Sequence, residues 1–268
     1  MCADVGGAPL GSPFVKLHPA AAKGFASNAD DYERARPSYP PDAVEHLVST
    51  LGLAPGRTVV DVAAGTGKLT RLLVASGARV VAVEPIAEMR AKLSGTAPTA
   101  EALDGTAERL PLADATADAI TVAQAFHWLD GPAALAEFHR VLRPGGALAV
   151  VYNERDRTVG WMARLNRLLE EYRGDTPQQW DGRWRNAFAT TELFGPLEES
   201  AFDNPHTLSP EEVIGRFRSL SFVGALDGSS QGRLLAGIAK LLASDPDTSG
   251  RTELVMPQRT VVSTCRWR

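Results

Sequence analysis

Only two cysteines, Cys2 and Cys265, occur in the 268 residues, one near each end. Two such thiols offer no disulfide framework, and a structural zinc site takes about four clustered ligands. No metal site is therefore expected, and a reducing compartment is the default reading. Long apolar runs are missing as well: no stretch approaches the roughly 20 residues that span a bilayer, so no membrane partner is expected. The first ten residues hold Asp4 and several glycines instead of a basic region followed by an apolar one, which argues against a secretory signal. A cytoplasmic location follows by elimination. There is no basic excess, with 28 Lys and Arg against 32 Asp and Glu and a net charge of -4. Nucleic-acid binders usually show a basic face or stripe, so a small molecule is the expected partner and nucleic acid is not. Internal repeats and low-complexity runs are also absent.

What remains is an ordinary globular composition, 44% hydrophobic and 22% charged, enough to bury a core without staples. The pattern along the chain is regular. Residues 1–24, rich in Gly, Ala and Pro, read as a tail. A short helix is expected at 28–36, stopped by Pro37, Pro40 and Pro41, and an amphipathic helix at 42–51. Apolar, β-branched runs at 58–62 and 79–83 read as buried strands. Weaker strands follow at 99–103, 119–123 and 147–152, with helices between them. Thr66 stands where a cap of the first intervening helix belongs. The alternation predicts an α/β fold: a Rossmann-like, doubly wound, mostly parallel sheet covered on both faces. Ligands of such sheets bind beyond the carboxyl ends of the strands, where strand order reverses.

Two motifs fall at those ends. Positions 59–67 read Val-Val-Asp-Val-Ala-Ala-Gly-Thr-Gly, a strand running into a glycine turn that lets a ligand approach bare backbone. Positions 80–84 read Val-Val-Ala-Val-Glu, a strand ending in an acid 23 residues after Asp61. A carboxylate at the tip of the second strand can accept hydrogen bonds from both hydroxyls of a ribose. A nicotinamide dehydrogenase would want a third glycine three residues after Gly67, where Thr70 stands.

From about Tyr32 to Asn153 these residues resemble the class I S-adenosylmethionine-dependent methyltransferases. The loop at 104–111, the strand at 117–122 with Gln124-Ala125-Phe126-His127-Trp128 at its tip, and the helix and Pro-Gly-Gly turn at 137–146 agree with that family. The segment 32–40 resembles the trans-aconitate-methyltransferase-like branch of methyltransferases of type 11. The resemblance implies a seven-stranded sheet, S-adenosylmethionine as cofactor and S-adenosylhomocysteine as product. It implies that Asp61 lies near the methionine amino group and that Ala63, Gly65 and Gly67 line the nucleotide loop. Glu84 would take the ribose, with Pro85 beside it and Ile86 or Met89 against the adenine. Thr106, Ala107 and Glu108 would border the adenine, and Gln124 and Ala125 the methionine. Tyr32 and Arg36 would close over the cofactor.

The chain departs from the family twice. Ala63 stands where a glycine is usual. Thr106 stands where many relatives have Asp, leaving Glu108, Asp104 or a backbone carbonyl to accept from the adenine amino group. His127 is the candidate general base or substrate contact; the alternative is a packing pair with Trp128.

The implied organisation is a tail at 1–24, a cofactor-binding core at 25–153, a helical lid with a sixth strand at 154–250, and a final strand at 251–268 that returns to the sheet. Trp161, Trp180, Trp184, Phe188, Phe217 and Phe222 lie in the lid region. Some of these are expected to line an apolar pocket, with Arg157, Arg183 or Arg185 meeting an acidic group of the substrate. Methyl transfer to a small-molecule acceptor follows, a carboxylate or hydroxyl ahead of a thiol or amine, by a monomer or homodimer. The alternatives are an RNA or protein methyltransferase and a non-catalytic relative that only binds the cofactor.

Overall fold

The computed structural model describes residues 33, 35–158 and 160–268. The expected tail, Tyr32 and most of the helix at 28–36 lie outside the described residues. Among the described residues no helix is long and apolar enough to cross a membrane.

Helix α1 (Pro41–Leu51) leads into β1 (Thr58–Val62), whose five residues are all buried. Strand β2 (Arg79–Val83) lies parallel to it, and β3 (Glu101–Leu103) parallel to β2. On its other side β1 pairs with β4 (Ala117–Ala123), and β4 with β5 (Leu142–Arg155). Two later strands complete the sheet. β6 (Glu198–Asp203) forms one edge, and β9 (Gln258–Arg266) runs antiparallel between β5 and β6. The order is β3-β2-β1-β4-β5-β9-β6. It reverses between β1 and β4, which places the crevice of a doubly wound sheet beyond Val62 and Ala123.

Helices cover both faces because both are apolar. Val60, Val62, Ile120 and Val122 contribute to one core with α4 (Gly131–Val141). Val59, Val80 and Ala149 contribute to the other with α1. The connection from β1 to β2 is shorter and less regular than its sequence suggests. It holds one helical turn, α2 (Thr70–Leu73), a 3₁₀ turn at Val74–Ser76 and a stop at Gly77. Thr66 does not cap it. Gly65 and Gly67 both have positive φ, so helical winding begins only after Leu69, and the Thr66 hydroxyl instead donates to Glu33 Oε2. Helix α3 (Ala87–Thr96) follows β2 and buries Met89 and Leu93.

After β5 the chain builds a second layer. Helices α5 (Gly160–Arg173), α7 (Pro210–Arg218), α8 (Ser221–Ala225) and α9 (Gly228–Ser244) share an apolar cluster that includes Trp161, Leu165, Phe217, Leu234 and Ile238. The short α6 (Asn186–Thr190) precedes β6. Strands β7 (His206–Leu208) and β8 (Leu254–Met256) form a separate antiparallel pair. Three residues are too few to display a period, so this pair is invisible in the sequence. The registers differ from expectation most usefully at β5. Pairing with β9 continues to Arg155, opposite Gln258, and carries Asn153 and Arg155 up to the crevice.

Candidate active site

Ala63 and Gln124 immediately follow the two strands that flank the switch point. Both are left-handed, with φ of 53° and 59°. This conformation costs an L-residue roughly 1–2 kcal/mol, so the turns at both strand tips are held by their surroundings. Gln124 N–H donates to Val151 O at 2.9 Å and Ala64 N–H to Val83 O at 3.2 Å. Two residues on, Gly65 has φ of 59°, and a Cβ built there meets nothing within 4 Å. The open space beside Gly65 is room for a ligand. At Gly67 a Cβ would come 2.9 Å from Thr96 Oγ1 and 3.2 Å from Leu93 Cγ. Gly67 therefore serves the packing of the loop on α3.

Glu84, 4% exposed, binds the two halves of the loop region together. Its Oε2 accepts from Gly65 N–H and its Oε1 from Ile86 N–H, both at 2.8 Å. Burial raises its pKa, while those backbone donors and Arg90 act against the rise. Each oxygen retains a lone pair for the diol of a sugar. Pro85 and Met89 follow it, Met89 buried inside α3. Beyond β3, Thr106 pairs with Arg109 across a tight bridge, and Ala107 is buried in the sheet's core. Glu108 Oε1 accepts from Asp130 N–H at 3.1 Å, and Asp104 faces Arg90 at 3.4 Å.

Asp61 is 1% exposed. Its Oδ2 accepts from the Thr70 hydroxyl at 2.6 Å and its Oδ1 from the Thr121 hydroxyl at 2.8 Å. Burial pushes its pKa up to about 6 from 3.8, against those hydrogen bonds. A raised carboxyl pKa means the folded state holds the proton more tightly than the unfolded chain. Stability from this group is therefore lost as pH rises from about 4 to 6. Asp61→Asn, with its amide nitrogen toward the freely turning Thr121 hydroxyl, is expected to keep or raise the melting temperature at pH 7.5. It should also flatten the melting profile between pH 4 and 6. A fall of several degrees at pH 7.5 would show instead that the fold needs the negative charge.

Two cavities meet at the crevice. One lies over the nucleotide loop and is lined by Ala63, Gly65, Thr66 and Lys68 among others. The second extends under the helical layer past His127, Arg155, Trp180 and Phe222. Arg36, Gln124, Asn153 and Arg216 line both. Gln124 Nε2 is buried there without a partner, as is Arg155 Nη1. Arg216 is 3% exposed, on the inward side of α7 with Val213 and Phe217. Arg36 reaches the helical layer, donating from Nε to Ser219 Oγ at 3.1 Å and from Nη2 to Ser219 O at 3.0 Å. Behind it Glu33 grips the nucleotide loop, accepting from Arg71 Nη1 at 2.7 Å, while Lys68 Nζ donates to Glu33 O at 2.6 Å.

His127 sits in the wall of the second cavity. Its backbone N–H donates to Tyr152 Oη at 3.0 Å, and its Nδ1 lies 3.1 Å from the same oxygen. Its ring also tilts against Trp128 at 5.0 Å. Burial, reinforced by Arg36 and opposed by Asp181, draws its pKa down to about 3.

Of the residues anticipated from sequence, Arg36, Ala63, Gly65 and Gln124 come together around the first cavity, and Glu84 holds their loop. Asp61 and Gly67 face inward. The arginines expected to meet a substrate do not line these two cavities: Arg157 pairs with Glu170 and stacks on Trp180 at 4.2 Å, Arg183 pairs with Asp181 and Arg185 with Glu199. Arg155 and Arg216 stand in the cavity in their place. Trp180 and Phe222 line it, whereas Trp184 and Phe188 belong to the sheet's core. A signal for Arg155 existed: it falls two residues after Asn153, on the same face of an extended strand.

A seven-stranded sheet of this order, with a bare glycine loop after β1 and a buried acid after β2, defines a nucleoside-binding α/β enzyme. A family model described as a methyltransferase domain matches residues 60–150. An uncharacterized methyltransferase of Mycobacterium tuberculosis is 38% identical over 88% of this chain and 93% of its own length. A methyltransferase-like protein of Schizosaccharomyces pombe is 30% identical over 89% and 93%. Among solved structures, a type II methyltransferase candidate from Anaeromyxobacter dehalogenans superposes with a TM-score of 0.59 and 25% identity, covering 86% of this chain and 96% of its own. The chain belongs to the class I S-adenosylmethionine-dependent methyltransferases.

The site's residues fit that cofactor. The space at Gly65 would admit the nucleoside, Glu84 would offer oxygens to the ribose, and the orphaned Gln124 Nε2 would offer a donor to a carbonyl or carboxylate oxygen.

Proposed function

We propose that this chain methylates a small acidic acceptor, at a carboxylate or a hydroxyl, using the cavity beneath the helical layer. The observation that carries the reading is its charge. Arg36, Arg155 and Arg216 line the cavity, and among the described residues no Asp or Glu does. Arg155 Nη1 is buried there without a hydrogen-bond partner, which favours an anion brought by the ligand. Arg155 is then the guanidinium offered to the acceptor.

The cofactor supplies a methyl already activated on a sulfonium: the acceptor oxygen forms a bond to the methyl carbon as the carbon–sulfur bond breaks and its electrons remain on sulfur. The protein's share is alignment and exclusion of water. Gln124 and Asn153, common to both cavities, would border the path of the methyl. Arg155 and Arg216 orient the acid, and Trp180 and Phe222 close the cavity's far side. A carboxylate acceptor is already deprotonated at neutral pH and requires no base.

The test is incubation of the full chain with methyl-labelled cofactor and a panel of mono-, di- and tricarboxylates, hydroxy acids and amines. Mass gain of one methyl on a carboxylate or hydroxy acid is expected. Methylation confined to amines or uncharged compounds would overturn the reading.

A further inference from the structure

Tyr152 lies directly behind His127, 1% exposed, on the face of β5 that joins the sheet's first core. Its hydroxyl oxygen accepts the His127 backbone N–H and therefore cannot return a proton there. The phenolic proton needs an acceptor, because a buried donor left unmade is costly. Among the described residues the acceptor in reach is His127 Nδ1, at 3.1 Å. An imidazole that accepts at Nδ1 carries its own proton at Nε2.

Building on the acid-methylating reading above, we propose that Tyr152 fixes His127 as the Nε2–H tautomer, so that His127 offers the acceptor a hydrogen bond instead of taking its proton. Tyr152 is then a positioning residue for the methyl acceptor, acting through His127. The groups around the pair agree. Arg36 and Asp181 bear on the ring from opposite signs, and burial outweighs both in keeping it neutral. Arg185 and Glu154 act on Tyr152, again in opposite directions, and burial holds its phenol protonated. A neutral N–H donor beside three arginines suits an acidic acceptor. It can bind the carboxylate oxygen that is not methylated and hold the other in line with the methyl.

Long-range proton–nitrogen NMR on the full chain with labelled histidine tests the tautomer without any acceptor. One of the five histidines, identified by its loss in His127→Gln, is expected to show a bare Nδ1 and a protonated Nε2, unchanged from pH 5 to 9. Tyr152→Phe should convert that signal to a mixture of tautomers. An Nδ1–H form, or a doubly protonated ring in that range, overturns the proposal whether or not the acid panel yields a product. In the methylation assay, His127→Gln keeps an N–H donor and is expected to stay within about fivefold of the parent, whereas His127→Ala falls more than about tenfold. Equal activity of all three proteins would remove the donor role. Failure of every acid in the panel would count against the acceptor class and leave the NMR result to stand or fall by itself.

Discussion

Glu84→Ala is expected to weaken S-adenosylhomocysteine binding by a hundredfold or more in calorimetry. The carboxylate does two things at once. It holds Gly65 N–H and Ile86 N–H at 2.8 Å, which sets the shape of the nucleotide loop. Its remaining lone pairs would accept from a ribose diol. A hydrogen bond to a charged group contributes about 1.5–3 kcal/mol, and two hydroxyls would be lost together. About 3 kcal/mol corresponds to a little more than a hundredfold in affinity. The variant also leaves two backbone donors unpaired, so circular dichroism and a melting curve of the free protein accompany the titration. Glu84→Gln separates the roles: its amide oxygen still accepts one backbone proton, while its NH2 opposes the other. A folded Glu84→Ala protein that binds within threefold of the parent would end the ribose assignment.

Arg155→Met is expected to make the free protein more stable and nearly inactive toward an acidic acceptor. The guanidinium stacks on the Phe217 ring at 5.0 Å, and its Nη1 is buried without a partner. Burial above all, then the neighbouring Arg36, Arg173 and Arg157, draws its pKa down to about 9. Its folded pKa lies below the unfolded one, so the free protein carries the whole penalty below about pH 9. The penalty fades only as pH climbs above that value. Methionine fills a similar volume without charge, and replacing buried ionic groups by apolar ones is often neutral or stabilising. A gain of about 1 kcal/mol, or a rise of a few degrees in melting temperature, is expected at pH 7.5. Methyl transfer to a carboxylate should drop about a hundredfold, the loss of one charge-assisted pair. Undiminished turnover would show that Arg155 does not meet the acceptor.

The half of the chain that makes the sheet was legible because its rules are local. A β-branched run such as 58–62 has one comfortable environment, a strand buried on both faces. A glycine turn after it has few physical excuses besides a close neighbour. The departure at Ala63 is explained by the structure: φ there is 53°, so glycine would sit without strain and alanine sits with some. The acceptor side was less legible because it is assembled from tertiary contacts. Arg216 is reached only by knowing which face α7 turns inward, and Arg155 only by knowing that β9 extends β5. The expected arginines 157, 183 and 185 are common surface cations neutralised by neighbours, which composition cannot distinguish from a ligand-binding set. The sequence also showed His127 at a strand tip but not the phenol behind it, because Tyr152 lies 25 residues away on another strand.

Glu33 touches the nucleotide loop, through Thr66, Lys68 and Arg71, and Arg36 the helical layer, through Ser219. These two anchors, three residues apart, tie both chambers to one stretch of chain. Lifting it breaks both attachments in a single local opening, which costs a fraction of what global unfolding costs. Departure of spent cofactor and departure of methylated product would then be coupled through that one opening.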